Sequence, residues 1–397
     1  MSAASLAYAG EISPTSTLCD RDSFDASPKL SGEASPSGPL SHLAEWFQRS
    51  RTSSKTRSSE PASPTRRSPS TSPAPVSVIS RRPLGYAASV YGPALRCLGA
   101  GTNGVVSLHC PSGDDSNRLA VKRLVIPSAV LQSTNRAQRY VRQVLHEASL
   151  TRTFDHPNVI ANYDYFQEDD GVFYSVMDYC PLDLFTLVQG GNLGLAEVRC
   201  YFAQLVHGLY YLHVQRRVAH RDLKLDNVCI TSDGVVKVID FGCATTSHPK
   251  YDPQQQHTSA ILATGTCGSD TYMAPELFAT GPNGGVTVYD ARKVDVWALA
   301  IIYIAMCTKH FPWDRATLAD PNFALFTRHP RPILQRMLPH QPEVVPILAH
   351  MLALNPNERP SVPSVMATPW FQSIQVCQPG LCVYHAHEVP ADLSSAA

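Results

Sequence analysis

The chain is organised around the stretch His220-Arg221-Asp222-Leu223-Lys224-Leu225-Asp226-Asn227. Two short apolar runs follow it, at 228–230 and 235–239, and the second ends at Asp240-Phe241-Gly242. This order predicts a loop, a strand, a tight turn and a second strand that delivers an acidic triplet. A polar turn between buried strands explains either motif alone, but it leaves this order and spacing unexplained.

The two motifs resemble H-R-D-L-x-x-x-N and D-F-G of eukaryotic protein kinases. The resemblance implies ATP and Mg²⁺ as cofactors and a catalytic role for Asp222, which would orient the attacking hydroxyl. It also implies that Lys224 contacts the γ-phosphate, a feature of Ser/Thr rather than Tyr kinases. Asn227 and Asp240 would bind magnesium, a hard cation that prefers oxygen ligands.

A glycine-rich stretch, Leu98-Gly99-Ala100-Gly101-Thr102-Asn103-Gly104-Val105-Val106, matches G-x-G-x-x-G-x-V. Glycines let a backbone close over phosphates because no Cβ stands in the way. The motif is weak alone and gains weight from its place in the chain. The resemblance implies nucleotide contacts from Gly99, Ala100, Gly101, Thr102, Asn103, Gly104 and Val106.

The next strand carries Leu119-Ala120-Val121-Lys122, which resembles V-A-I-K. The resemblance implies that Lys122 neutralises the α- and β-phosphates and that Ala120 also contacts the nucleotide. A helix is predicted over 138–152, and its Glu147 would pair with Lys122. A lone Lys or Glu is ordinarily solvent-facing, so both assignments depend on the surrounding motifs.

An apolar strand at 172–177 is followed by Asp178-Tyr179-Cys180-Pro181, which looks like the hinge between the two lobes of a kinase. The resemblance implies that adenine bonds the backbone around Asp178 and Cys180, with Met177 lining the pocket. Methionine there is equally suited to fill the core, and the two roles are compatible.

The segment from Asp240 to Glu276 resembles an activation loop. Arg221 would bind a phosphate placed on it by an upstream kinase, since guanidinium pairs well with phosphate. Ser269 is expected to bond Asp222 and Lys224. The candidate phosphorylation sites are Thr258, Thr264 and Thr266.

Three later residues match positions that support the fold in this family and take no direct part in the reaction. Asp295 would brace the backbone of the catalytic loop, and Arg359 would pair with Glu276.

Gly268-Ser269-Asp270, the segment 289–297 and Phe311-Pro312-Trp313 together resemble the fungal halotolerance and nitrogen-permease-reactivator kinases. That family regulates nutrient and potassium transporters at the plasma membrane, so the resemblance implies a signalling role of this kind. Asp183 and Asp226 match positions where basophilic kinases bind arginine upstream of the acceptor. We therefore expect a mild preference for basic residues there.

The formal net charge of the 397 residues is zero, which argues against a global polyanion-binding role, and no nucleic-acid partner is expected. The eleven cysteines contain no C-x-x-C pair, which favours reduced thiols over a disulfide framework or a zinc site. The longest apolar run, 297–307, is too short to span a membrane and predicts a buried helix. We expect a cytoplasmic or nuclear protein with at most peripheral membrane contact.

The first 90 residues are rich in Ser and Pro and are predicted to be a disordered regulatory tail. Leu40 to Phe47 places apolar residues on one helical face, which favours docking on a partner surface over a chance cluster. A basic stretch from 49 to 82 is interpreted as a solvated linker, and the alternative is contact with anionic lipid, nucleic acid or an acidic partner. The Ser-Pro pairs, each a possible proline-directed site, begin at Ser13, Ser27, Ser35, Ser63, Ser68 and Ser72.

The predicted fold is α+β: a two-lobed protein-kinase fold at 91–371, with a small antiparallel β lobe and a larger helical lobe. A tail of 372–397 would follow. The predicted function is transfer of the ATP γ-phosphoryl group to Ser or Thr of protein substrates. The alternative is a pseudokinase or scaffold that binds partners through its tail, and the retention of every catalytic position argues against it.

Overall fold

The computed structural model describes residues 9–11, 79–101, 104–111, 117–124, 134–191, 193–246, 260–279, 287–377 and 387. The predictions for Leu40 to Phe47, the six Ser-Pro serines, Thr102, Asn103 and Thr258 lie outside these residues.

The strands are short, as in most mixed folds. They are β1 Ala9–Glu11, β2 Ser80–Arg82, β3 Arg96–Gly101, β4 Gly104–His109, β5 Leu119–Leu124, β6 Asn162–Glu168, β7 Phe173–Asp178, β8 Leu182–Asp183, β9 Val218–Ala219, β10 Val228–Ile230, β11 Val236–Val238, β12 Thr245–Thr246, β13 Leu262–Thr264, β14 Val288–Asp290 and β15 His310–Phe311.

The α-helices are α1 Tyr86–Tyr91, α2 Thr134–Thr151, α3 Leu184–Gly190, α4 Leu195–Tyr210, α5 Ala291–Thr308, α6 Pro321–Arg328, α7 Pro330–Met337, α8 Val345–Met351, α9 Val362–Met366 and α10 Pro369–Gln372. A π-helical turn, Tyr211–Arg216, extends α4. None of the helices in the described part of the chain combines the length and apolar character needed to cross a bilayer.

The described residues form two compact units, a smaller one containing 79–152 and Asn162–Asp178 and a larger one containing the rest. Strands dominate the smaller unit and helices the larger one, as predicted for an α+β fold. The smaller unit has a six-stranded sheet in the order β2-β6-β7-β5-β4-β3. Its neighbouring strands are antiparallel except for β2 and β6, which run parallel.

Helix α2 packs on this sheet through one apolar face. Ala137, Val141 and Val144 follow at helical spacing and are buried against Leu124 and Phe173. The helix begins at Thr134, four residues before the predicted start at 138.

Secondary structure in the smaller unit begins at Ser80, before the expected boundary at 91. The buried Glu168 carboxylate accepts hydrogen bonds from the backbone N–H groups of Gly85 (3.1 Å) and Ala87 (2.8 Å) at the start of α1. Tyr86 packs edge-on against Phe166. The segment has no period-2 or helical pattern of its own, and tertiary contacts with the sheet determine its structure.

The larger unit is built around α5, in which residues 294–306 are all buried. This confirms that the apolar run at 297–307 is a core helix. Strands β10 and β11 pair antiparallel, with Val228 opposite Val238, and a turn through Gly234 at φ 77° joins them. The predicted hairpin between the catalytic loop and Asp240 is therefore confirmed. Strand β1 pairs with β15 in the same unit.

Candidate active site

The catalytic loop is held by Asp295, which lies fully buried in α5. Its carboxylate accepts hydrogen bonds from the backbone N–H groups of His220 (2.8 Å) and Arg221 (2.7 Å), and its Oδ2 lies 2.8 Å from Nε2 of His213. Charge-assisted bonds of this kind are stronger than neutral ones. The expected bracing role of Asp295 is confirmed.

The Asp222 carboxylate is contacted by three side chains. Nδ2 of Asn227 donates to the Asp222 backbone carbonyl (2.8 Å) and to its Oδ2 (3.1 Å). Nζ of Lys224 lies 3.5 Å from Oδ2 and donates to Ser269 Oγ (3.1 Å), which donates in turn to Asp222 Oδ1 (3.3 Å). The expected position of Ser269 is confirmed. The carboxylate is 18% exposed, so it can still accept from a bound hydroxyl.

The chain returns to this loop at Asp240. The backbone N–H of Ile239 donates to the Asn227 carbonyl (3.0 Å), which joins the two predicted magnesium ligands through adjacent backbone. Asp240 has φ 60°, a conformation rare outside glycine and common at functional sites. Its Oδ1 accepts from the Gly242 N–H (3.2 Å). Phe241 anchors the triplet in the core, where its ring lies 5.0 Å from that of His220.

Arg221 holds the activation segment through backbone carbonyls. Its guanidinium donates to the carbonyls of Cys243 (3.4 Å), Thr264 (3.2 Å) and Gly265 (2.9 Å). It also donates to the Tyr289 hydroxyl (2.7 Å), which donates onward to Gly265 (2.8 Å). Burial raises the pKa of Tyr289, and the nearby Arg221 charge opposes part of this rise.

Cys243 and Cys267 form a disulfide, with Cα atoms 6.3 Å apart. The expectation that all cysteines are reduced thiols is wrong for this pair. The two residues are 24 positions apart. Sequence spacing gave no signal for them, because β9, β12, β13 and β14 bring the ends of the segment together.

Arg359 and Glu276 form the expected architectural pair. Nη1 and Nη2 of the buried guanidinium each lie 2.7 Å from one oxygen of the carboxylate. Arg359 also lies over the ring of Trp297, 4.8 Å from its centroid. Bidentate geometry and burial make this a strong anchor for the end of the activation segment.

In the smaller unit, the glycine-rich hairpin connects β3 and β4, and Gly101 pairs with Gly104. Gly104 has φ 138°, and a Cβ there would lie 2.1 Å from the Arg123 carbonyl oxygen, so only glycine fits. A Cβ on Gly99 would meet no described atom within 4 Å. The protein's own packing therefore leaves the face at Gly99 open, as a cradle for phosphates requires. Ala100 pairs with Val105 in the same hairpin, and Val106 with Gly99.

Lys122 lies on β5 between Val106 and Ser175 of the flanking strands. Burial raises the pKa of Tyr165 to about 12; Glu147 adds to this rise and Lys122 opposes it. The same two charges act on Tyr140. Because Lys122 and Glu147 both influence the same two tyrosines, they face a common region of this unit.

The predicted adenine contacts divide between the units. Ala120 pairs with Met177, and Asp178 pairs with Leu119 at the end of β7 in the smaller unit. The Tyr163 hydroxyl donates to the Asp178 carboxylate. Cys180 belongs to the larger unit, where it raises the pKa of Cys229 through a side-chain hydrogen bond, and burial adds to the rise.

The larger unit thus brings Asp222, Lys224 and Asn227 together and ties Asp240 to them. The smaller one carries the hairpin glycines, Lys122 and Glu147. Sequence reasoning missed Tyr289, whose hydroxyl links Arg221 to Gly265. A tyrosine in a short strand gives no sign that it will bond a distant backbone carbonyl.

Comparison with known proteins supports this assignment. The profile described as Protein kinase domain matches residues 94–371. The probable serine/threonine-protein kinase RTK1 of Saccharomyces cerevisiae is 37% identical over 300 residues, which cover 72% of this chain and 46% of that protein.

Two further relatives come from the same yeast. The nitrogen permease reactivator protein is 33% identical over 326 residues (70% of this chain, 39% of the relative). The serine/threonine-protein kinase HAL4/SAT4 is 34% identical over 242 residues (59% of this chain, 38% of the relative). The chain spans less than half the length of these three relatives. The resemblance to the fungal halotolerance and nitrogen-permease-reactivator kinases is confirmed, and the chain belongs to the protein kinase domain family.

Proposed function

We propose that the protein transfers the γ-phosphoryl group of ATP to Ser or Thr hydroxyls of protein substrates. The observation that carries the proposal is the Asp222 carboxylate, held by Asn227 on one side and by Ser269 on the other. A carboxylate oxygen fixed in this way can accept the proton of an incoming hydroxyl and align that hydroxyl for attack.

The donor set fits magnesium. The Asn227 amide nitrogen donates two hydrogen bonds to Asp222, which leaves the Asn227 amide oxygen for a cation. Asp240 offers a carboxylate on adjacent backbone. Oxygen-only ligands suit Mg²⁺. When bound, the ion neutralises charge on the nucleotide phosphates.

Lys224 supports Ser/Thr specificity. Its ammonium lies beside Asp222 and is held by the Ser269 hydroxyl, so it can place positive charge next to the acceptor. Lys122, Glu147 and the hairpin glycines would hold the nucleotide phosphates, and Ala120, Met177, Asp178 and Cys180 the adenine.

For the substrate, we propose a protein connected with transport at the plasma membrane. Support comes from one relative's name, nitrogen permease reactivator protein. Burial raises the pKa of Asp183, and the neighbouring charge of Asp226 adds to that rise. These two carboxylates support a preference for a basic residue in the substrate, although Asp183 also caps α3 by accepting from the Thr186 N–H (2.7 Å).

The test is transfer of labelled phosphate from Mg-ATP to a generic basic protein, with wild type beside Asp222→Ala. We expect wild-type transfer and a loss of ~10²–10⁴-fold in the variant, the range for removal of a general base. The exposed Asp314→Ala serves as a control and should match wild type. Absence of transfer by wild type with a phosphorylated activation segment would support the scaffold alternative instead.

A further inference from the structure

A second cluster of reactive side chains lies in the larger unit, away from Asp222. Cys200 is fully buried in the middle of α4, and Cys377 is buried just beyond α10. His387 is the third member, and its side chain is only 3% exposed. The two thiol sulfurs and one ring nitrogen all lie within 4.8 Å of one another.

Nitrogen groups surround the sulfur of Cys200. Its Sγ accepts hydrogen bonds from the backbone N–H of Cys377 (3.4 Å) and from Nε2 of Gln204 (3.5 Å). Nε2 of His387 lies 4.0 Å from the same sulfur. The sulfur therefore lies at a polar point of the interior, beside a second potential metal ligand.

The other side of the His387 ring faces a carboxylate. Nδ1 lies 3.6 Å from Oε1 of Glu197, and that oxygen accepts from the Tyr201 hydroxyl (2.8 Å). The Tyr201 ring also stacks on the imidazole at 4.9 Å. A carboxylate beside one ring nitrogen, with the other nitrogen facing thiols, is similar to the arrangement found around metal-bound histidines.

We propose that Cys200, Cys377 and His387 bind one Zn²⁺ ion. Two thiolates and one imidazole are the soft and borderline donors that zinc prefers. With Zn–S near ~2.3 Å and Zn–N near ~2.0 Å, tetrahedral ligands lie roughly 3.5–3.8 Å apart. Donor atoms separated by no more than 4.8 Å therefore need to approach one another by about 1.3 Å or less. Binding releases to solvent whatever protons the three ligating atoms carry, and it involves no change of oxidation state.

A water molecule would complete the tetrahedron at the fourth position of the ion. Glu197 already faces Nδ1 and acts as a positioning residue for His387. The absence of a C-x-x-C pair argued against a zinc site, but the cysteine ligands are 177 positions apart and only the fold brings them together.

The ion would tie the chain after α10 to α4, the helix that leads through the π-helical turn to His213. It therefore belongs to the architecture of the larger unit, and the proposal does not depend on phosphoryl transfer.

The experiment uses the full chain and zinc alone. After chelation, reloading with ZnCl₂ and gel filtration, we expect one zinc per wild-type chain by elemental analysis. Cys377→Ser and His387→Ala should each lower the zinc affinity at least ~100-fold, and Glu197→Gln about tenfold, as expected for a partner of a ligand. Cys307→Ser, a cysteine outside the cluster, should keep full binding.

Cobalt replaces zinc as an optical probe in the same samples. Wild type should develop thiolate-to-cobalt charge transfer and intense tetrahedral d–d bands, and Cys377→Ser should lose part of the charge-transfer absorption. Circular dichroism checks that each variant folds. Should Cys200→Ser fail to fold, Cys377→Ser and His387→Ala decide the question. No retained zinc in wild type, or equal retention by all variants as an adventitious ion only, would overturn the proposal.

Discussion

The catalytic loop and the activation segment are each held by one charged side chain, but the two charges are opposite and differently buried. Asp295 is completely buried and receives two backbone N–H groups and a histidine nitrogen. Arg221 is half-buried and donates to backbone carbonyls and a tyrosine hydroxyl. Both use main-chain groups, so neither depends on which side chains the held segment carries.

This difference shows how the catalytic loop can be fixed in place while the activation segment can change its contacts. A buried carboxylate has no alternative partners, because leaving it unpaired in the interior is costly. A half-buried guanidinium can exchange carbonyls for a phosphate at modest cost, since phosphate is the better acceptor. We therefore expect the catalytic loop to keep one conformation. The activation segment should change its conformation when it is modified.

The largest effect should come from Asp295→Asn. The new amide would direct N–H groups at existing N–H donors, so the free energy of unfolding should fall by about 3–5 kcal/mol. Trp297, Trp313 and Trp370 are buried in the larger unit and report its unfolding by fluorescence in denaturant. Asp314→Asn, an exposed change, should leave the midpoint in place. An unchanged unfolding midpoint for Asp295→Asn would mean that the catalytic loop keeps its structure without the Asp295 carboxylate.

An intermediate effect should come from opening the Cys243–Cys267 bridge. Closing a loop of this length in the unfolded chain is worth about 3 kcal/mol in the loop-entropy account. Phosphine reductant should therefore lower the unfolding free energy of wild type. Cys243→Ser should be less stable from the start and insensitive to the reductant. Peptide mapping identifies the linked pair, and its absence in oxidised wild type would remove the basis for this comparison.

The smallest effect should come from Tyr289→Phe. It removes the hydroxyl that links Arg221 to Gly265 and should cost about 1 kcal/mol, typical of one hydrogen bond. Turnover before phosphorylation of the activation segment should fall a few-fold, because the segment loses one of its anchors. Tyr210→Phe, which removes a half-buried hydroxyl at the end of α4, serves as the control and should match wild type. Equal turnover of Tyr289→Phe and wild type would show that the carbonyl bonds of Arg221 suffice.

Several features could be predicted from the sequence because they depend on residues that are close together in the chain. The stretch from His220 to Asn227, the hairpin that follows it and Asp240 are adjacent in the chain, so one turn geometry determines them together. Gly104 was identifiable for the same reason: a tight hairpin brings its α-carbon against the Arg123 carbonyl of the next strand. The long apolar helix α5 was likewise apparent from hydrophobic pattern, whereas the antiparallel β lobe was implied by the kinase resemblance.

Other features exist only because distant segments pack together. The parallel strand at Ser80–Arg82 depends on β6, and the disulfide joins residues at opposite ends of the activation segment. Cys200, Cys377 and His387 share no sequence pattern and meet only where the chain after α10 returns to α4. Sequence alone determined the residue types and local turns of the kinase motifs, since these depend on near neighbours. Tertiary structure decided which cysteines, tyrosines and buried charges meet, because burial and partner choice are set by contacts across the whole fold.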